Sequence, residues 1–257
     1  GENVKFPDIT AYYNNISVTD ANGNTIVEPT HAQPEYVKDY EAGLRYEKGA
    51  LTLEGNFYLE DFQNTFISAT DPVTGVSRTS NGGSSRYDGE EVQIGDNFGS
   101  LKIMPGDFAG YINAAHNEAY FTGAFADASA GSVYKGQPVG NVPNYLVSAG
   151  ISWTNASYLV AVDTRYVGRQ YLNNSYSGIP TSSTDGGYFL TDLSLRDTIK
   201  LHHGPVKALV LTFNIDNLFG VRYYNSADIN TDVNGNPYKE AIVGAPRAFY
   251  GAVTAKF

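Results

Sequence analysis

The chain has 257 residues, enough for one large β domain or two ordinary ones. Its formal charge of −10 argues against a nucleic-acid partner, and the lack of Cys excludes a disulfide framework, a Cys-ligated zinc site and a Cys nucleophile. No run of about 18 apolar residues occurs, which excludes a transmembrane helix but not a barrel, whose strands alternate lipid-facing and lumen-facing side chains. Tyr is abundant, 20 against one Trp and one Met, which suits membrane-interface girdles and also a Tyr-rich soluble sandwich. No basic segment followed by an apolar one opens the chain, so an exported protein of this sequence is expected to be mature or a fragment.

Residues 1 to 38 are polar and turn-rich and read as a long loop, with a short hairpin around Asn22-Gly23. A meander follows. A first strand is expected over about 38–47, then a tight turn at Lys48-Gly49-Ala50. The second places Leu51, Leu53, Gly55, Phe57 and Leu59 on one parity and Thr52, Glu54, Asn56, Tyr58 and Glu60 on the other, continuing past Phe62 to about Ala69. A tip at Asp71-Pro72-Val73-Thr74-Gly75 leads to a third strand through Tyr87–Ile94 and a turn at Phe98-Gly99-Ser100. In the fourth strand, about 106–121, Asn113, His116 and Asn117 blur the alternation.

A loop from about 122 to 142 ends at Val142-Pro143-Asn144. The fifth strand puts Tyr145, Val147, Ala149, Ile151 and Trp153 on one face; after a turn at Thr154-Asn155-Ala156 the sixth does the same with Tyr158, Val160, Val162, Thr164 and Tyr166. A polar loop spans about 171–186, the seventh strand carries Phe189, Thr191, Leu193 and Leu195, and a turn at 199–205 holds His202 and His203. Val206–Asp216 alternates strictly, breaks at Asn217-Leu218-Phe219-Gly220, and a ninth strand closes the chain at Phe257. Short turns near 49, 99, 155 and 202 alternate with long polar loops near 20, 73, 130, 178 and 233. Transmembrane barrels show this asymmetry, the short turns periplasmic and the long loops extracellular.

Specific segments carry a resemblance. Pro34-Glu35 followed by Tyr40-Glu41-Ala42-Gly43-Leu44-Arg45-Tyr46 is similar to a Pro-Glu…Tyr-Glu-x-Gly-x-x-Tyr segment of TonB-dependent receptors. Asn217-Leu218-Phe219, Tyr223-Tyr224 and Gly244-Ala245-Pro246-Arg247, then a last strand ending in Phe, resemble the C-terminus of the same family. Phe257 is similar to the assembly signal of outer-membrane proteins, although Ala255 stands where that signal often has an aromatic. The resemblance covers about Phe6 to Phe257. It implies an all-β fold: an antiparallel transmembrane β-barrel portion of about nine strands, an incomplete arc of a larger barrel of about 22 strands. Residues 1–257 would be the C-terminal part of such a barrel, 1–38 an extracellular loop and 39–257 the meander, with the plug domain absent. Strands one and nine would be its edges, and their running the same way would prevent closure.

The resemblance further implies an outer-membrane receptor of a Gram-negative bacterium. Such receptors import a scarce solute, such as an iron–siderophore chelate, cobalamin or a saccharide, with TonB-supplied energy. Its implied partners are outer-membrane lipid, the rest of the barrel and plug, TonB and a small-molecule substrate. The alternatives are a passive porin-like channel and, further off, a barrel enzyme. No Gly-x-Ser-x-Gly elbow, Walker loop or zinc-protease helix appears, so no catalytic residue and no cofactor is assigned.

Site candidates follow from parity. Glu41, Arg45, Glu54, Glu91, Asp163, Arg165, Asp192, Arg196 and Asp216 fall on the inward parity. They would line a lumen for a polar solute or a docked plug, or pair with one another across a wet wall. Asp20-Ala-Asn22-Gly-Asn24 and Asp232-Val-Asn234-Gly-Asn236 offer clustered oxygens for calcium, but each is also an Asn-Gly turn. The glycine comes too early for an EF-hand loop. His31, His116, His202 and His203 are scattered.

Overall fold

The computed structural model describes residues 1–9, 11, 15–19, 23–29, 32–70, 77–101, 105–127, 131–172 and 184–257. In chain order, β1 (Glu2–Lys5) precedes a loop pair, β2 (Asn15–Thr19) and β3 (Thr25–Pro29). Then come β4 (Glu35–Lys48), β5 (Leu51–Gln63), a second loop pair of β6 (Phe66–Thr70) and β7 (Ser77–Asn81), β8 (Ser85–Gly99) and β9 (Asp107–Phe121). A small pair, β10 (Phe125–Asp127) and β11 (Gly131–Val133), leads to β12 (Tyr145–Asn155) and β13 (Tyr158–Val167). After β14 (Gln170–Tyr171) and β15 (Thr184–Asp185), the chain runs through β16 (Tyr188–Lys200) and β17 (Ala208–Asp216). A loop hairpin of β18 (Tyr224–Thr231) and β19 (Pro237–Val243) stands before β20 (Ala248–Lys256).

Ten strands form one antiparallel meander in the order β1-β4-β5-β8-β9-β12-β13-β16-β17-β20. The other pairs are two-stranded extensions of the long connections. Gly49-Ala50 and Ala156-Ser157 close two-residue hairpins; Gly49 (φ 64°) and Ala156 (φ 48°) take the left-handed conformation that such hairpins need. The thirteen residues of β5 would span roughly 33 Å at about 3.3 Å each and a tilt of about 40°, more than the about 25 Å apolar band of an outer-membrane barrel.

The register sorts the side chains into two faces. Moving across the wall, Leu53 sits opposite Ile94, Ile94 opposite Ile112, Ile112 opposite Ala149, Ala149 opposite Thr164 and Thr164 opposite Thr191. Trp153 opposes Val160, Val160 opposes Leu195, Leu195 opposes Phe213 and Phe213 opposes Gly251. Among the described residues nothing covers this face: Leu44 is 85% exposed, Val253 69% and Phe57 67%. A continuous apolar surface on this scale suits contact with hydrocarbon, not water. At the long-loop end it gives way to charge. Arg86 forks onto Asp61 (Nε–Oδ1 2.7 Å, Nη2–Oδ2 2.9 Å), and His116 Nδ1 lies 3.2 Å from Glu90 Oε1 with its ring stacked on Tyr145.

Three expectations need correction. Residues 1–38 are not all loop: Glu2–Lys5 pairs with Lys38–Glu35 and adds a tenth strand to the wall. The edges are therefore β1 and β20, which run in opposite directions, so parallel edges are not what keeps the sheet open. Among the described residues the sheet is open because β1 pairs only with β4, over four residues, and β20 only with β17. The second strand does not continue to Ala69. It breaks at Asn64, which takes φ 56° and reaches back to the Pro34 carbonyl with Nδ2 (3.3 Å) before β6 begins. The blurred fourth strand, in contrast, is unbroken over Asp107–Phe121: Asn113 and Asn117 point to the polar face and His116 to the apolar one.

Candidate functional site

The second face is polar, and the register brings every inward-parity candidate onto it. Arg45 opposes Glu54, Glu54 opposes Gln93, Gln93 opposes Asn113, Asn113 opposes Ser148 and Ser148 opposes Arg165. One row nearer the long loops Glu91 opposes Asn56, and one row further on Glu41 opposes Tyr58. Asp163 opposes Asp192, Arg196 opposes Thr212, and Asp216 opposes Ala248. Strand alternation alone explains this gathering, since one pleat face collects every second residue.

Two recesses run along the face. One, of about 430 Å³, is lined by Glu54, Glu91, Gln93, Asn113, Ser148 and Arg165. Its neighbour, of about 710 Å³, shares Glu54, Asn56 and Glu91 and adds Glu41, Arg45 and Glu60. Cross-strand neutralisation is slight. Arg45 donates to Glu47 Oε1 (Nη2 2.6 Å, Nε 3.1 Å), and its Nη1 is 4.0 Å from Glu54 Oε2. Such exposed pairs contribute about 0–1 kcal/mol. Among the described residues Glu41, Glu91, Arg165 and Arg196 form no ion pair. The Glu41–Glu54–Glu91 sector is thus acidic, with one nearby guanidinium already turned to Glu47.

Two tyrosines order this face, and residue parity alone did not reveal them. Tyr111 donates to Asp163 Oδ1 at 2.8 Å, and Tyr58 donates to Asn117 Oδ1 at 2.6 Å. Each ring crosses a glycine on the next strand: a Cβ at Gly150 would come within 2.5 Å of Tyr111 Cε1, and one at Gly89 within 2.8 Å of the Tyr58 hydroxyl. The readable signal would have been Tyr opposite Gly in register, a pairing that lets an aromatic lie across the bare backbone.

Of the two calcium candidates, only the second loop lies wholly within the described residues. Asp20 and Asn22 lie outside the described residues, as does His31. Asp232 spends its carboxylate on its own turn: Oδ1 accepts the Asn234 and Asn236 backbone N–H groups (2.8 and 2.9 Å), and Oδ2 accepts Asn236 Nδ2 (3.1 Å). These donors, Asn236 N–H foremost, hold the Asp232 carboxyl below its ordinary range. Gly235 at φ 85° completes the turn. His202 and His203 are exposed in the β16–β17 turn.

The Asn-Leu-Phe-Gly break has a defined job. Asn217 is 4% exposed and sits at φ 52°. Its Nδ2 donates to the Val221 carbonyl (2.8 Å) and the Ala245 carbonyl (3.2 Å), and its Oδ1 accepts the Val221 N–H (2.8 Å). Its own N–H donates to Asp192 Oδ1 (2.7 Å), which ties the end of β17 to β16 and to the return into β20. Asp192 thus takes part in this tie from the polar face.

A sequence model of the TonB dependent receptor-like β-barrel matches residues 1–218. The chain belongs to that family. Solved receptors share its fold. A mutant of the ferric enterobactin receptor PfeA from Pseudomonas aeruginosa superposes with TM-score 0.66 at 16% identity, over 100% of this chain and 37% of that one. The ferric yersiniabactin uptake receptor FyuA from Yersinia pestis gives TM-score 0.63 at 19% identity, over 97% and 33%. The copper transporter OprC gives 0.63 at 16%, over 98% and 35%. This TonB-dependent receptor barrel chain therefore spans about a third of the length of the solved structures it matches.

Proposed function

We propose that the chain forms the C-terminal part of the barrel wall of a Gram-negative outer-membrane receptor that imports a scarce solute with TonB-supplied energy. The observation that carries this reading is the acidic polar face, Glu41, Glu54 and Glu91 above all, on the wall of a TonB-dependent receptor barrel. An acidic lumen wall favours a cationic or metal-bearing solute by raising its local concentration. The structural neighbours named for ferric chelates and for copper fit that class. The two open edges support completion of the wall by strands outside these residues. An unpaired edge in hydrocarbon would leave each backbone group several kcal/mol short of a partner. The missing strands would come with a plug and the segment that engages TonB.

The test is uptake by cells that make the intact receptor. Radiolabelled ferric chelates and copper are offered to strains with and without TonB. Accumulation that requires both receptor and TonB is expected. Equal accumulation without TonB would replace the active receptor by a passive channel.

A further inference from the structure

At the long-loop end the Asn217 tie leaves a recess of about 690 Å³ between the start of β16 and the connections into and out of the β18–β19 hairpin. Tyr188, Arg222, Tyr223, Gly244 and Arg247 form its walls. Tyr188 belongs to the polar face, since it pairs in register with Val167.

Its surfaces are of two kinds. The rings of Tyr188 and Tyr223 pack with centroids 4.5 Å apart and planes at 32°. Tyr223 can lie there only because residue 244 is Gly: any Cβ would fall inside the phenol ring. The second surface is cationic. Gly220, at φ 64°, lies under the Arg247 guanidinium, whose Nη2 is 2.8 Å from where a Cβ would stand. Arg222 and Arg247 are both exposed, and among the described residues neither has an ion-pair partner. That is notable in a chain whose acids exceed its bases by ten. Tyr224, which also lines the recess, carries Lys239 Nζ 4.4 Å from the centre of its ring. Glu240, on the adjoining hairpin, accepts from Asn230 Nδ2, and Asp192, on β16, accepts from the Asn217 N–H.

We propose that this recess binds a ring-bearing organic oxyanion, its carboxylate or phosphate held by Arg222 and Arg247 and its ring laid on Tyr223. Guanidinium forks match such oxyanions with two parallel hydrogen bonds, and a phenol face takes either an aryl ring or the apolar face of a sugar. Aryl acids and sugar phosphates in solution share this chemistry, and the polar face that carries Tyr188 is the one that water reaches. The inference does not rest on transport, because binding needs no energy input.

Isothermal titration of the intact, lipid-free receptor in detergent tests it, with phenyl phosphate, glucose 1-phosphate and inorganic phosphate as probes. One saturable site is expected for a ring-bearing phosphate, at least fivefold tighter than for inorganic phosphate. Arg222→Gln, a change at an exposed connection residue, should weaken it at least tenfold. Tyr223→Leu should erase the preference over inorganic phosphate. Preference for phenyl phosphate assigns the site to aryl acids; preference for glucose 1-phosphate assigns it to sugar phosphates. The proposal is overturned if neither ring-bearing phosphate saturates the wild type, or if Arg222→Gln binds as tightly as the wild type.

Discussion

Replacing Asn217 by Ala isolates the tie that closes the last loop. The change removes the hydrogen bonds to Val221 O, Ala245 O and Val221 N. Each is worth about 1 kcal/mol net, and more where the abandoned group stays out of water. The backbone adds to this, because φ 52° suits Asn and costs Ala about 1–2 kcal/mol. At 4% exposure little water can substitute, so the connection should lose about 3–5 kcal/mol of local stability. Hydrogen exchange of the intact receptor in lipid reads this at the Val221 and Gly244 amides. With every 1.4 kcal/mol worth tenfold, exchange there should speed up by about a hundredfold to a few thousandfold. Asn217→Gly loses the same side-chain bonds without the backbone cost and should fall about 1 kcal/mol short of the Ala effect. If exchange at both amides changed less than threefold in Asn217→Ala, the tie would not be holding the loop.

Other expectations are independent of that tie. An epitope inserted near 178 should be reached by antibody on intact cells and one near 155 should not; the opposite pattern would invert the orientation argued from loop length. The Asp232 carboxyl is depressed on folding, so its contribution to turn order is present above the unfolded value and lost as pH falls through the folded one. Exchange at the Asn234 and Asn236 amides should therefore rise on acidification below the ordinary 3.8, and Asp232→Asn should abolish that dependence. Because Asp232 is already satisfied by Asn234 and Asn236, millimolar calcium or chelator should leave the β18–β19 turn unchanged; a calcium-dependent ordering of the turn would restore the ion-site alternative. In the intact receptor a photo-crosslinker at Gly251 on the β20 edge should capture a peptide from outside residues 1–257; capture of β1 would mean that these strands close on themselves.

The parts of the fold that a period of two can encode were legible. Runs such as Leu209, Leu211, Phe213 and Ile215 fix both the strand and its face, because a one-residue slip would turn Asn214 and Asp216 into hydrocarbon. The same parity placed Glu41, Arg45, Glu54, Arg165 and Arg196 correctly on one face. What escaped depends on partners distant in sequence. Glu2–Lys5 is too short to show a period, and only the free edge of β4 makes it a strand. The break at Asn64 relies on the Pro34 carbonyl, some thirty residues away. The Tyr111–Asp163 bond crosses Gly150, so it needs three strands in register before it exists. Asn217 was visible as a motif, but its work lies in reaching Ala245, on the far side of the loop.

The central claim is that the apolar face of this wall meets lipid and the polar face meets water. A nitroxide scan of positions 208–216, one label at a time in the intact receptor in liposomes, tests it most directly. Collision with oxygen should peak at 209, 211, 213 and 215, and collision with a water-soluble nickel chelate at 210, 212 and 214, giving two out-of-phase waves of period two. Aqueous collisions peaking at 211 and 213 instead, or no alternation at all, would contradict the account.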